Sequence, residues 1–369
     1  MSALDADNDR GIDEIDLRII NALQLAPRSK WLSLAGPLEL DAATLARRWN
    51  RLSESSLAWV TVTPGPQVLG TIVTAIIEID CSPELLDTVA ARLTVLAHAV
   101  TIEVSTGRAD LLVTAGTADL ASMSRFISEE IATIDGVLAT RTSIITRWFT
   151  EGGRWRLNAL APSEKGVLTT SENRTAVRAR STGISEQDRK VLTILAYDGR
   201  TPMKELADAI GVSPAACKRQ IDRLTSSGLV ALRCEFARPL AGLPVLATLW
   251  CRVEPELLDT AGRLLSRAPE VRNCFAVVGA DNLVVQLWLH SPAELDAFEI
   301  RLRKEISGLY VTERSIVLHL RKLLGHVLDQ DGRRTSTIAP DVWLPSRTDS
   351  PENRYHDRAH DHREWTWAL

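Results

Sequence analysis

The spacing of apolar residues predicts helices in residues 183–234 and alternating strands and helices in residues 240–328. Three helices are predicted in the first stretch, with inward-facing residues Val191, Leu192 and Leu195, then Leu206, Ala207 and Ile210, then Cys217, Ile221 and Leu224. The second stretch predicts the order strand, helix, strand, strand, helix, strand. This βαββαβ order is typical of a ferredoxin-like sheet with its helices on one face.

The same pattern occurs twice, displaced by 172 residues without a gap. Asp16 aligns with Asp188 and Arg47 with Arg219, and the six residues PELLDT from Pro83 recur unchanged from Pro255. A fixed offset along most of each copy indicates a tandem duplication. The predicted fold class is α+β, with two tandem units, each a helix-turn-helix (winged-helix-like) domain followed by a ferredoxin-like βαββαβ domain.

Changes of periodicity and composition place the predicted domain boundaries. The first unit has a helix-turn-helix domain at 11–62 and a ferredoxin-like sensor domain at 68–150, and the second has the corresponding domains at 183–234 and 240–328. Residues 151–182, rich in Gly, Ser, Thr and Arg, are predicted to be a linker without regular structure. The polar residues 329–369 are predicted to be a disordered tail.

The third helix of each helix-turn-helix domain carries candidate DNA contacts. In the second unit Gly211 supplies a tight turn, Ser213 caps the helix and Pro214 occupies its first position. Small and basic residues on the outward face suit contacts to base edges and phosphates. The predicted DNA-binding residues are Ser213, Ala215, Lys218, Arg219, Asp222 and Arg223 in the second unit and Arg47, Arg48 and Arg51 in the first. The alternative is a solvated basic face on a plain three-helix bundle.

The turn of the first unit departs from this pattern. Glu39 stands where Gly211 does, and Gly36-Pro37 falls inside the preceding predicted helix. A side chain at a turn that requires positive φ and a proline in a helix both predict distortion. We therefore expect the first copy to be distorted and the second copy to read DNA better.

The helix-turn-helix followed by the βαββαβ module resembles the Lrp/AsnC (feast/famine) family of regulators. Besides GVSPAACKRQIDRLTSSGLV, a strand–turn–strand motif G-x-x-D-L carries the resemblance. It is intact at Gly107–Leu111, whereas the second unit has Asn282 at the aligned acidic position and Asp281 before it. The resemblance implies that an amino acid or related effector binds near this turn. The candidate effector residues are Gly107, Arg108, Asp110, Gly279, Asp281 and Asn282; alternatively, Asp110 and Asn282 only satisfy backbone groups of hairpins.

The resemblance also implies the partners. These are double-stranded DNA, a small-molecule effector such as an amino acid, and further copies of the chain that associate through the ferredoxin-like domains. The two units resemble a covalently joined, asymmetric version of the family's dimer. No cofactor, no metal and no membrane contact are predicted, and a cytoplasmic location is expected.

The net charge, the cysteines and the tail histidines do not change these predictions. The formal charge of −4 excludes a uniformly basic protein but not a local DNA-binding face. Five separated cysteines predict buried, reduced thiols, and the tail histidines His356, His360 and His362 are interpreted as solvated.

An enzyme is the alternative class, because siroheme decarboxylases share this architecture. Such chemistry would use His and Arg facing a pocket between the sheets. His98, His290 and His319 have no matching His in the other unit, so the sequence favours a regulator that is not an enzyme.

Overall fold

The computed structural model describes residues 11–173 and 183–340. The first helix-turn-helix contains α1 (Glu14–Leu25), α2 (Trp31–Leu38) and α3 (Ala42–Glu54), followed by strand β1 (Ala58–Pro64) and the short α4 (Pro66–Leu69). The first sensor module contains β2 (Val73–Cys81), α5 (Leu86–Thr94), β3 (Ala99–Ser105), β4 (Leu111–Thr117), α6 (Leu120–Arg125) with a π-helical continuation (Phe126–Ile131), and β5 (Val137–Thr150). Helix α7 (Pro162–Asn173) follows in the connecting segment.

The second unit repeats these elements in the same order. Its helix-turn-helix contains α8 (Glu186–Tyr197), α9 (Met203–Ile210) and α10 (Pro214–Ser226), followed by β6 (Val230–Phe236) and a 3-10 turn (Pro239–Ala241). Its sensor module contains β7 (Val245–Val253), α11 (Leu258–Leu265), β8 (Val271–Val277), β9 (Leu283–Leu289), α12 (Ala293–Glu305) and β10 (Leu309–Leu323), extended by β11 (His326–Leu328) and β12 (Arg334–Thr337). The predicted α+β fold class with two tandem units is confirmed.

The two four-stranded sheets join edge to edge at both sides. Strand β5 of the first unit pairs with β8, and β10 of the second unit pairs with β3, so that eight antiparallel strands close on themselves. Ile145 pairs with Val277 at one junction and Val317 with Ser105 at the other. These pairs correspond under the 172-residue offset, so the junctions are related by an approximate twofold axis. Closure removes the unpaired sheet edges that each unit would otherwise expose.

The strands that leave the two helix-turn-helix domains pair with each other. Strand β1 lies antiparallel to β6, and Thr61 pairs with its own counterpart, Arg233, on the approximate axis. Each strand packs on the other unit, β1 against α8 and β6 against α1. The hydrophobic core of each helix-turn-helix domain therefore contains residues from both units, including Phe236 in the first and Val62 in the second.

Two parts of the chain differ from the sequence prediction. In the connecting segment, α7 begins at Pro162 with Glu164 in its first turn, a favourable helix start, and Arg18 pairs with Glu164 at 2.6 Å. In the predicted tail, β12 pairs with β11 and is not disordered. Both segments have weak apolar periodicity, so their sequences did not predict α7 or β12. The tail histidines and the terminal tryptophans lie outside the described residues.

Candidate functional site

The two third helices, α3 and α10, begin with equivalent caps and follow equivalent turns. Asp41 Oδ1 accepts from Thr44 N at 2.8 Å, and Ser213 Oγ accepts from Ala216 N at 3.2 Å. Gly211 has φ 71° and ψ 36°, and Glu39 has φ 55° and ψ 38°. The expected distortion of the first copy is therefore wrong at the backbone, because Glu39 adopts the left-handed conformation that glycine favours. Helix α2 also runs through Gly36-Pro37 to Leu38.

A buried carboxylate on the first helix of each domain anchors the third helix. Asp16 accepts from Arg48 Nη1 at 2.9 Å and also pairs with Arg51. Its counterpart Asp188 accepts from Arg223 at 2.5 Å and from Gln220 Nε2 at 2.7 Å. Each of these carboxylates also closes the capping box of its own helix.

Three of the predicted DNA-binding arginines take part in this anchoring. The side chains of Arg48, Arg51 and Arg223 turn inward to the buried carboxylates, so they hold the third helix in place. Burial alone would raise the pKa of Asp188, but hydrogen bonds from Arg223, Ser185 and Gln220 outweigh it and lower that pKa. The arrangement ties α10 to the first helix of its domain.

The remaining predicted residues stay on the outer face. Arg47 and Arg219 occupy equivalent positions, one on each third helix, and both are exposed. Ser213 and Ala215 are exposed at the start of α10. Lys218 forms an exposed ion pair with Asp222 at 2.5 Å, which offsets its charge. Arg47 and Arg219 are thus an equivalent pair of exposed cations, one on each third helix.

The turns proposed to hold an effector are built on backbone contacts. Asp110 Oδ2 accepts from Cys81 N at 2.8 Å, at the end of β2. At the aligned place, Asn282 accepts from Val253 N at 2.9 Å and donates to Val253 O at 2.7 Å. Asp110 and Asn282 therefore satisfy backbone groups, as in the alternative left open by the sequence. Their contact with an effector stays a prediction.

Arg108 links the first turn to the second unit. Its guanidinium donates to both oxygens of Glu78, at 2.6 and 3.1 Å, and to Asp281 Oδ2 at 3.0 Å. The same group lies 4.2 Å from the ring centroid of Trp250. Arg108 and Asp281 therefore meet as partners across the junction between the units.

Each turn is covered by the last strand of the other unit. Gly107, at φ 95°, lies so close to β10 that a Cβ would come within 2.8 Å of Glu313 Oε1. Thr106 N donates to Ile316 O, and Val278 N donates to Ile144 O, both at 2.9 Å. The counterpart Gly279 is less tightly covered, because a Cβ there would lie 3.8 Å from Ser143 Oγ of β5. The turns form part of the two sheet junctions.

A reciprocal contact between the helix-turn-helix domains was missed by the sequence reasoning. Arg28 donates to the carbonyls of Gly199 and Thr201, and its counterpart Arg200 donates to the carbonyls of Pro27 and Ser29. The guanidinium of Arg200 also stacks over Trp31 at 4.2 Å. The alignment of Arg28 with Arg200 at the 172-residue offset was the available signal.

The cysteines and the candidate histidines His98 and His290 make contacts within the fold. The five cysteines are free and buried, as expected. His98 Nδ1 lies 3.2 Å from Gly116 O, and His290 Nδ1 lies 2.7 Å from Gly242 O. Within residues 11–173 and 183–340, no group of three His, Cys, Asp or Glu side chains could hold a metal ion. In the same ranges, every helix is too short or too polar to traverse a lipid bilayer.

Two helix-turn-helix domains with outward arginines, each attached to a ferredoxin-like module, define the class of helix-turn-helix regulators with a fused sensor domain. The AsnC-type helix-turn-helix domain model matches residues 12–53, and the Lrp/AsnC ligand binding domain model matches residues 74–155. A winged helix-turn-helix DNA-binding model matches residues 184–231. The chain belongs to the Lrp/AsnC family.

Relatives in two archaea resemble one unit of the chain. An uncharacterized HTH-type transcriptional regulator of Pyrococcus abyssi is 31% identical over 145 residues, which cover 39% of this chain and 92% of the relative. One of Pyrococcus horikoshii is 29% identical over 149 residues, covering 40% and 94%. The crystal structure of the siroheme decarboxylase NirDL matches 94% of this chain and 98% of its own, with a TM-score of 0.54 and 14% identity. That last likeness is one of fold.

Proposed function

We propose that this chain is a sequence-specific DNA-binding transcriptional regulator in which two anchored third helices contact one DNA duplex. The observation that carries the proposal is the equivalent placement of Arg47 and Arg219. Each is exposed on a capped helix whose inner face is tied to a buried carboxylate. A rigidly held helix with an outward cation is the arrangement by which helix-turn-helix proteins enter the major groove.

The decisive test is DNA binding by matched arginine variants of the full chain. Fluorescence anisotropy would compare the region upstream of the chain's own gene with scrambled DNA of the same composition. Arg219→Ala and Arg47→Ala should each weaken binding and reduce the slope of log affinity against log salt by about one. Lys304→Ala, which removes an exposed charge from α12, is the control that should leave binding unchanged. Unchanged affinity in both arginine variants would contradict the proposal.

Modulation by a small effector, such as an amino acid, is the second part of the proposal. The sensor modules meet at the turns around Gly107 and Gly279, and a ligand there would alter the junction that Arg108 and Asp281 form. The affinity for DNA should then change about 5- to 150-fold with the correct effector. A screen of the common amino acids in the same anisotropy assay measures this coupling. An affinity for DNA that no amino acid changes would contradict the proposed modulation.

Association of chains through the ferredoxin-like domains remains a proposal as well. Both junctions between the sheets are already formed within one chain, so further copies would meet through the helices α5, α6, α11 and α12. Light scattering coupled to size-exclusion chromatography would measure the assembly. We propose no catalytic role, because the sequence relatives are named as regulators and the likeness to NirDL is limited to the fold.

A further inference from the structure

A cavity of about 100 Å³ lies between the two sheets, beside the strand pair β1/β6. Its lining comes from both units and includes apolar residues such as Leu246 and Phe275. Unlike an ordinary core cavity, it is also lined by charged and aromatic side chains. These are Glu103, Arg233, Arg238, Arg272, Gln286 and Trp288.

Three arginines in this lining are almost completely buried. Arg233 and Arg238 are each 6% exposed and Arg272 is 4% exposed. Each has a buried nitrogen without a hydrogen-bond partner among the described residues, namely Arg233 Nε, Arg238 Nη1 and Arg272 Nη1. A buried cationic donor that is left unpaired is costly, so such groups in a native fold call for an explanation.

Nearby carboxylates compensate only part of this charge. Arg233 donates to Glu235 at 2.7 Å and pairs with Glu151 at 3.1 Å. Arg272 Nη1 is 3.7 Å from Glu235, too far for a hydrogen bond. Burial raises the pKa of Glu103 to about 7, so this carboxyl is only partly ionised at neutral pH. Burial also lowers the pKa of Arg272 to about 9, which still leaves it charged. The three neighbouring carboxylates therefore leave the arginines of the cavity wall incompletely hydrogen-bonded.

Aromatic stacking fixes two of the guanidinium groups in place. The ring of Trp288 has Arg272 at 4.0 Å and Arg238 at 4.1 Å from its centroid, and Trp155 packs edge-on against the same ring at 4.5 Å. The backbone also makes room, because a Cβ on Gly152 would come within 2.9 Å of Arg272 Cζ. Preorganised donors of this kind bind an anion with little loss of side-chain entropy.

The duplication shows that the fold does not require these charges. At the 172-residue offset, Arg233 corresponds to Thr61, Arg238 to Pro66, Arg272 to Val100 and Trp288 to Gly116. The first unit therefore builds the same positions from small, uncharged residues. Charge on one side of an approximate twofold axis indicates a role that only the second unit has acquired.

We propose that this cavity binds a small organic carboxylate, whose oxygens accept from the unpartnered N–H groups of Arg238 and Arg272. The two oxygens of a carboxylate match the fork of a guanidinium, and the apolar walls favour an anion with a short hydrocarbon body. The cavity is smaller than the one of about 150 Å³ that accommodates benzene, so the ligand is a short aliphatic mono- or dicarboxylate. This site is separate from the turns at Gly107 and Gly279, and the inference does not depend on DNA binding.

The test uses the full chain without DNA and compares acids with their uncharged amides. Isothermal titration with acetate, propionate and succinate is set against acetamide, propionamide and succinamide. At least one acid should bind ten-fold or more tightly than its amide and raise the melting temperature progressively with its concentration. Equal binding of acids and amides would overturn the proposal, as would binding of inorganic phosphate in preference to every acid.

Two variants locate the site, one in the cavity and one outside it. Each replaces an arginine of the second unit by the residue at the aligned position of the first unit. Arg272→Val should weaken binding of the acid at least ten-fold, because a charge-assisted hydrogen bond is lost. Arg263→Ala is the matched control. It also replaces an arginine by the residue at the aligned position of the first unit, Ala91, but Arg263 is exposed on α11. If Arg272→Val fails to fold, Arg238→Gln serves as the second cavity variant. Wild-type affinity in a folded cavity variant would refute the assignment.

Discussion

The two helix-turn-helix domains have equivalent backbone conformations at the turn but differ in their side-chain contacts. Asp16 in the first receives two guanidiniums, from Arg48 and Arg51, whereas Asp188 receives one, from Arg223, and the amide of Gln220. What both copies keep is a buried carboxylate on the first helix and an exposed arginine on the third. The proposed contact with DNA depends on these two shared features.

The first domain is also supported by contacts that the second lacks. The connecting segment docks on α1, where Gln24 accepts from Leu157 N at 2.8 Å and Asn21 accepts from Leu160 N at 3.2 Å. The corresponding residues of the second domain are Ala196 and Thr193, which cannot reproduce that pair of amide contacts. The first copy is therefore the better supported of the two, although its turn carries an unfavourable residue.

The largest effect is expected from truncating the central apolar residue of each third helix. Trp49→Ala should lower the free energy of unfolding by about 3–5 kcal/mol, and Ile221→Ala, at the equivalent position, by about 2–5 kcal/mol. Both side chains are buried, and Trp49 also contacts Trp31. Urea unfolding of both variants measures the difference. A smaller loss for Trp49→Ala would mean that the first domain adds little to global stability.

A second contrast concerns Glu103 and its counterpart Phe275. Because burial raises the pKa of Glu103 from 4.5 to about 7, the unfolded chain releases this proton at lower pH than the folded chain does. Stability should therefore fall as the pH rises from about 4.5 to 7, by roughly 3 kcal/mol. Arg272, Arg238 and Gln286 face this carboxyl and oppose the shift.

Glu103→Gln removes that titration. The variant should match the wild type near pH 4 and exceed it at pH 8, as measured by chemical unfolding at both values. The control is Glu256→Gln, an exposed carboxyl that should leave the pH profile unchanged. A constant difference between Glu103→Gln and the wild type at all pH values would show that folding does not change the pKa of Glu103.

The buried anchors give a smaller effect and separate structure from DNA contact. Asp188→Ala should cost about 2 kcal/mol, because Arg223 and Gln220 lose a buried charged acceptor. Arg223→Ala should also destabilise the chain, while Arg219→Ala should leave its melting temperature unchanged. Because the folded state lowers the pKa of Asp188, this stabilisation is present above the unfolded pKa near 3.8 and is lost as pH falls. Thermal melts between pH 3 and 7 measure it, and equal melting of both arginine variants would contradict the anchor.

The fold was predictable because its signals are local or repeated. Helical periodicity placed Cys217, Ile221 and Leu224 in the core, and the offset of 172 residues exposed the duplication. The direction of long side chains was not predictable in this way. Arg51 and Arg223 fall on the outer side by spacing, yet each turns back to a carboxylate 35 residues away. That partnership depends on tertiary contacts that spacing does not encode.

The pairing of strands between the two units could not be predicted from the sequence for a related reason. Nothing in the alternation of β5 or β10 specifies the partner strand, so closure of the eight strands and the contact between Arg108 and Asp281 depend on the folded assembly. The buried arginines of the cavity likewise lie at positions that the first unit fills with neutral residues. Duplicated chains diverge at such places without any change in their periodicity.

The smallest effect tests the turn in which the two domains differ in sequence but not in conformation. A non-glycine residue in the left-handed region costs about 1–2 kcal/mol relative to glycine. Glu39→Gly should therefore stabilise the chain by about 1 kcal/mol, once the greater freedom of glycine in the unfolded state is subtracted. Gly211→Ala should destabilise it by a similar amount, since no atom lies within 4 Å of the added Cβ and only backbone strain changes. Differential scanning calorimetry of the pair would reveal shifts of opposite sign. Shifts of the same sign would mean that Glu39 stabilises its turn through its side chain, which would make the first turn a distinct solution and not a strained copy of the second.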